Sequence, residues 1–171
     1  AELALGLSAM IARSFGQPVA LIDADLDHGI LTGLLRTSDV AGLAECLAGH
    51  LDADAALVPL SDDRLPASLE GFGVPEGMVR FLGAGVDTSR NILRMRSNFH
   101  RVLEDLAGRY VVIVNGPRLP GPVPTSQLLS LADATLMVVA EGRTSLTDAR
   151  SAGDTLRSFS AGASGVIVLR G

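Results

Sequence analysis

The sequence predicts an α/β fold of three layers, a mostly parallel sheet with helices on both faces. Short apolar runs of strand length recur along its 171 residues. Segments with helical spacing lie between them, and Gly or Pro marks the joins. Strands separated by helices need crossover connections, which are right-handed and leave the strands parallel. Near-continuous apolar strands read as covered on both faces.

The elements follow in order. Ala1 to Phe15 is rich in Ala, Leu, Met and Ile, with only Glu2 and Arg13 charged; this composition favours helix, and apolar residues on most sides suggest burial. Gly16 is a natural C-terminal cap and Pro18 prevents continuation. Val19 to Ile22 reads as the first strand, with acids at its end. A helix is expected over Val40 to Leu47, closed by Gly49. Ser61 to Gly77 is rich in Asp, Pro and Gly and reads as loop, and Met78 to Leu82 reads as a short strand. In Ile92 to Leu106 the residues Ile92, Met95, Phe99, Val102 and Leu106 repeat at spacings of three and four, the mark of an amphipathic helix. Asn91 could cap it and Gly108 ends it. Val111 to Val114 is a further buried strand, and Gly116 to Pro124 is too rich in Pro and Gly for an element interior. The helix Ser126 to Leu131, the strand Ala134 to Ala140, the helix Ser145 to Phe159 and the strand Gly165 to Leu169 complete the pattern. Neither an internal repeat nor an interdomain linker is evident, so residues 1–171 are read as one domain.

Composition sets bounds on function. An apolar share of 47% with 19% charged residues is that of a globular chain. A formal net charge of -5 gives no support for nucleic acid as a partner or for an anionic-membrane patch. The single Cys46 permits no internal disulfide, and no stretch is long and apolar enough to span a bilayer. The chain enters a helix-like run at Ala1 without an initiator Met, so a fragment or processed form is expected.

The most informative segment is Leu21-Ile22-Asp23-Ala24-Asp25-Leu26. Two carboxylates at the end of a buried strand stand where α/β proteins usually place ligand chemistry. The strand is expected to end at Asp23, with Asp25 opening the loop; Asp27 and His28 extend the polar cluster. A carboxylate there could hold a magnesium-bound water, accept a proton, or cap the next turn. His28 has no second ligand pattern nearby that would support zinc. The strand Val111 to Val114 presents Asn115-Gly116-Pro117 in the equivalent place. Asn115 offers a neutral amide where a carboxylate would balance a magnesium ion, and a structural turn role is its default reading.

These residues resemble the bacterial tyrosine kinases of exopolysaccharide and capsule synthesis, the cytoplasmic P-loop domains of polysaccharide co-polymerases. Those are similar in turn to the division-site and chromosome-partitioning ATPases of the deviant-Walker class. The matching stretches are VALIDADLDHGILTGLL, DVAGLAECLAG, FLGAG, NILRMRSNFHRVLEDLAGRYVVIVNGP, LLSLADATLMVVAEGRTS and GVIVLRG, in order over nearly the whole chain. The resemblance implies a P-loop NTPase-like fold, with Asp23 and Asp25 on the two acids of the second Walker A-like motif. Asp25 would be the acid that assists magnesium and the attacking tyrosine. Asn115 falls where the family's Walker B-like segment has an Asp, and Arg143 falls near its basic position after the strand Ala134 to Ala140.

The departures from that family bear on activity. Its phosphate loop aims backbone N–H groups and a Lys at the phosphates. Here no such motif occurs and the chain contains no Lys. Counting back from Asp23 puts Ala1, Glu2 and Leu3 in the Lys-Ser-Thr register, with Glu2 repelling phosphate. The first strand and the glycine loop are expected to lie outside the given residues. The tyrosine-rich tail is missing, and Tyr110, the only Tyr, stands at the start of a strand. DLDHG replaces the family's basic DLRRP.

The sequence therefore implies a catalytically degenerate kinase-like domain that needs no cofactor. It would act as a regulatory or assembly module of an exopolysaccharide chain-length system at the inner face of the bacterial membrane. Its partner would be the membrane-embedded co-polymerase portion or another protein, with a homo-oligomer also open. The alternative is an active ATP-dependent tyrosine kinase or ATPase using ATP and Mg2+, with its phosphate loop upstream of residue 1. An unrelated flavodoxin-like or response-regulator-like module fits the alternating elements but leaves GLAECLAG and NGP unaccounted for.

Overall fold

Strand β1 (Val19–Asp23) is buried at every residue. Its side chains alternate between the two faces of the sheet, so complete burial requires cover on both. The computed structural model describes residues 1–60, 65, 73–86, 92–119 and 124–170. They fall into two units, Ala1–Gly116 and Pro117–Gly171.

In the first unit, β1 lies between two parallel neighbours, β3 (Val79–Leu82) and β4 (Val111–Asn115). A two-residue strand, β2 (Val58–Pro59), adds antiparallel to the outer edge of β3, giving the order β2-β3-β1-β4. The sequence reading did not anticipate β2; two residues ending in Pro carry no periodicity, and Pro is tolerated at a sheet edge. In the second unit, β5 (Ala134–Ala140) and β6 (Ala163–Leu169) pair in parallel across helix α7 (Leu146–Phe159). The expected fold class is thus observed: a mostly parallel sheet flanked by helices.

Helix α1 (Glu2–Phe15) packs on β1, β3 and β4, and Leu5 and Ala12 join Val19, Leu21, Val79 and Phe81 in the core. Its burial is one-sided: Leu3, Met10 and Phe15 are exposed. Gly16 ends it in the left-handed conformation and donates its N–H to the Ala12 carbonyl, as the composition predicts. Two short helices were not expected, α2 (Ile30–Leu34) and α4 (Ala53–Ala56). Helix α3 (Leu43–Ala48) starts three residues later than the predicted Val40. The cause is local: Gly42 passes so close to the Gly83 carbonyl that a Cβ there would overlap it. The chain is held to that loop before helix can begin.

Helix α5 (Ile92–Ala107) packs on β4, α3 and α4, with Phe99, Val102 and Leu106 buried as the spacing predicts. The side chains of Ile92 and Met95, and the candidate cap Asn91, lie outside the described residues. So does most of the predicted loop Ser61 to Gly77, and residues 120–123 of the proline-rich stretch. Helix α6 (Pro124–Leu131) starts two residues early, on a Pro that suits a first turn. Ser145, predicted as helical, is the N-cap of α7: its Oγ accepts from the Asp148 N–H at 3.0 Å.

Candidate functional site

The parallel strands β1, β3 and β4 end on the same side, and the three loops that leave them meet around Asp23. Its carboxylate is fully buried. Oδ2 accepts from both the backbone N–H and the hydroxyl of Thr32, each at 2.8 Å. Oδ1 accepts from the Asn115 side-chain amide at 3.0 Å and, more weakly, from the Asp25 N–H at 3.4 Å. An ionised carboxylate offers about four lone-pair positions, and here each faces an N–H or O–H donor. Burying a charge is costly unless it is paired or hydrogen-bonded, and this donor set supplies the compensation.

Thr32 makes the arrangement more than a local cap. The first turn of α2 has Gly29 at its N-cap, with no side chain to offer. Asp23 serves that turn instead, from nine residues away, by accepting the Thr32 N–H that the helix leaves unpaired. While donating to Asp23, the Thr32 hydroxyl accepts from the Ala84 N–H at 2.8 Å in the loop after β3. A buried acid, a buried hydroxyl and a loop amide thus connect the ends of β1, α2 and β3, and Asn115 adds the end of β4.

A second carboxylate holds that loop from the other side. Glu45, largely buried in the first turn of α3, accepts from Gly42 N–H at 2.6 Å through Oε2 and from Val86 N–H at 2.9 Å through Oε1. Leu43 and Ala44 donate their N–H groups to the carbonyls of Gly83 and Ala84. Gly85 sits at φ 94° against Glu45 Oε2, where a Cβ would overlap the carboxylate. The sequence reading assigned nothing to Thr32 or Glu45. The spacing from Gly42 to Glu45 in GLAE is that of a helix start whose N3 acid reaches back to the cap, and it marks Glu45 in hindsight.

Asp25 is buried as well, and its Oδ1 lies 3.0 Å from Nδ1 of His28, which is half-exposed. Its carbonyl accepts from the N–H groups of His28 and Gly29, closing the turn that leads into α2. Beside this turn is a shallow cleft of about 190 Å³, lined by residues including Asp27, His28, Gly29, Ser38 and Gly85. Arg143 belongs to the second unit, exposed in the turn after β5 with its N–H on the Ala140 carbonyl. The structure therefore brings Asp23, Asp25 and Asn115 together within the first unit and places Arg143 in the second. Among the described residues no three His, Cys, Asp or Glu side chains gather as a metal set, and no helix is long and apolar enough to cross a membrane.

The chain matches no protein-family model and no curated protein. Solved structures do match it. The kinase domain of the Escherichia coli tyrosine kinase ETK superposes with a TM-score of 0.77 at 24% identity, covering 97% of this chain and 60% of that one. The BceF tyrosine kinase domain gives 0.75 at 24% identity, covering 99% and 62%. The septum site-determining protein MinD from Pyrococcus horikoshii OT3, complexed with Mg-ADP, gives 0.70 at 20% identity, covering 97% and 63%. The chain thus spans less than two thirds of the length of each. A magnesium ion at Asp23 would require exchange of partners: a hard cation wants oxygen acceptors around it, whereas Asp23 is ringed by donors. By its architecture, the chain has the P-loop NTPase-like fold shared by tyrosine-kinase domains and the MinD-type ATPases.

Proposed function

We propose that this domain is a catalytically degenerate relative of the tyrosine-kinase domains, working as a regulatory or assembly module of an exopolysaccharide chain-length system. The observation that carries the reading is the first turn of α1. Only residues 16–18 separate α1 from β1, and the helix packs on that strand, so the two run antiparallel. Fourteen helical residues span roughly 21 Å. The N-terminal end of α1 is therefore level with the Asp23 end of the sheet, the side on which open α/β sheets take their ligands. The residues there are Ala1, Glu2 and Leu3. A helix start attracts phosphate through its amides and dipole. Glu2 places a negative charge in that same turn, suiting the dipole itself and opposing a phosphate beside it. The chain also contains no Lys, the side chain with which a phosphate loop reaches its phosphates.

A partner would then be met by a preserved fold rather than by turnover. The co-polymerase portion at the membrane, another protein, or a second copy of the chain are the candidates. Isothermal titration of the protein with ATP and Mg2+ tests the reading: no saturable heat and no phosphate release are expected. Micromolar affinity with measurable hydrolysis would overturn it and favour an ATP-dependent kinase or ATPase.

A further inference from the structure

We propose that the Asn115 amide occupies the place of a cation at Asp23, so that the strand ends are held by an internal latch and not by a metal. Asp23 is fully buried, and every partner it has among the described residues is neutral: the Thr32 N–H and hydroxyl, the Asp25 N–H and the Asn115 amide. Among these, Asn115 is the one side chain from a different strand, directly opposite Asp23 in the β1–β4 ladder. Its Nδ2 donates to Asp23 Oδ1 at 3.0 Å. The backbone keeps the pair in register, because the Ala24 N–H donates to the Asn115 carbonyl at 2.9 Å.

An acid at position 115 would put a carboxylate oxygen where Nδ2 now donates. Two carboxylates that close cannot both ionise unless a proton or a cation lies between them. The amide removes that requirement while keeping nearly the same shape, so the latch closes without metal. This deepens the degenerate reading of the same strand ends, and its test needs no nucleotide.

Thermal unfolding of the nucleotide-free protein is followed by circular dichroism in EDTA and in millimolar Mg2+ or Mn2+. The wild-type Tm should be the same in both. Asn115→Ala should lower the folding equilibrium constant on the order of tenfold in either buffer, since it strips a donor from a buried charge. Asn115→Asp should be less stable than wild type in EDTA and regain Tm when Mg2+ or Mn2+ is added. A cation-induced rise in wild-type Tm that is lost in Asp23→Asn would overturn the proposal. So would an Asn115→Ala protein as stable as wild type, or a folded Asn115→Asp protein indifferent to cations. If Asn115→Asp does not fold in either buffer, the wild-type and Asn115→Ala melts decide. ATP binding by a wild-type protein whose free form ignores Mg2+ would refute the functional reading above and leave the latch standing.

Discussion

Replacing Thr32 with Val tests the strand-end network most directly. Valine keeps the branched shape and the buried volume but removes the hydroxyl. Two bonds go with it, the one given to Asp23 Oδ2 and the one taken from the Ala84 N–H, both 2.8 Å. A hydrogen bond to a charged group contributes roughly 1.5–3 kcal/mol, and a buried N–H left unpaired costs roughly 1–3 kcal/mol. The two act on one network, so they add incompletely, and a loss of about 3–4 kcal/mol is expected for Thr32→Val. Against a total stability of ~5–15 kcal/mol for a domain, that is a large fraction. Thr32→Ser keeps both bonds and gives up one buried methyl, which costs about 1 kcal/mol. Urea unfolding followed by far-UV circular dichroism measures both variants, and the slope with denaturant should be unchanged. Hydrogen exchange at the Ala84 amide supplies a local check: its protection should fall in the Val variant and persist in the Ser variant. If Thr32→Val cost less than about 1 kcal/mol, or if Ser were as damaging as Val, the hydroxyl would not be what joins α2 to the β3 loop.

Further outcomes are expected at three other positions. Gly85→Ala combines a left-handed backbone with overlap of the Glu45 carboxylate and should cost about 2–4 kcal/mol. Gly49→Ala, at φ 80° with nothing within 4 Å of the added Cβ, should cost only about 1 kcal/mol in the same urea assay. Burial, reinforced by Glu45, pushes the Cys46 thiol up to about 11 from 9.0. A thiol reagent at neutral pH should therefore modify Cys46 only after the protein opens. The unfolded chain loses this proton first as pH rises, so the stabilising effect of the neutral buried thiol is complete below about 9 and declines towards about 11. Labelling rates with and without urea, and melts across that range, check both statements.

The sequence made the large elements legible because long periodic segments carry their own evidence of burial. Phe99, Val102 and Leu106 sit at helical spacing and are buried, and Gly16 and Pro18 end α1 by rules that need no neighbours. The short pieces were not legible. Helix α2 has five residues and owes its start to a carboxylate nine positions away, which no local pattern can reveal. The late start of α3 reflects close approach of residues 42 and 83, again a tertiary cause. At the site, Asp23 and Asn115 stood out because acids and amides at strand ends are conspicuous in composition. That they point at one another follows from the β1–β4 register, which becomes visible only once the strands are paired. Thr32 escaped attention because a Thr in an apolar run looks like filler until its hydroxyl is seen between two strand ends.

The clamp on the loop after β3 has a consequence for how such a shape endures. Thr32 and Glu45 grip residues 84 and 86 by main-chain amides, and residues 43 and 44 grip carbonyls. Main-chain atoms are supplied by almost any residue. The grip therefore imposes little on the identity of the residues it holds, apart from the glycines required by close approach. A handful of buried side chains can then fix the path of three loops while the loop sequences wander. A loop held by its backbone in this way keeps its course through changes of sequence that would dissolve a contact between side chains.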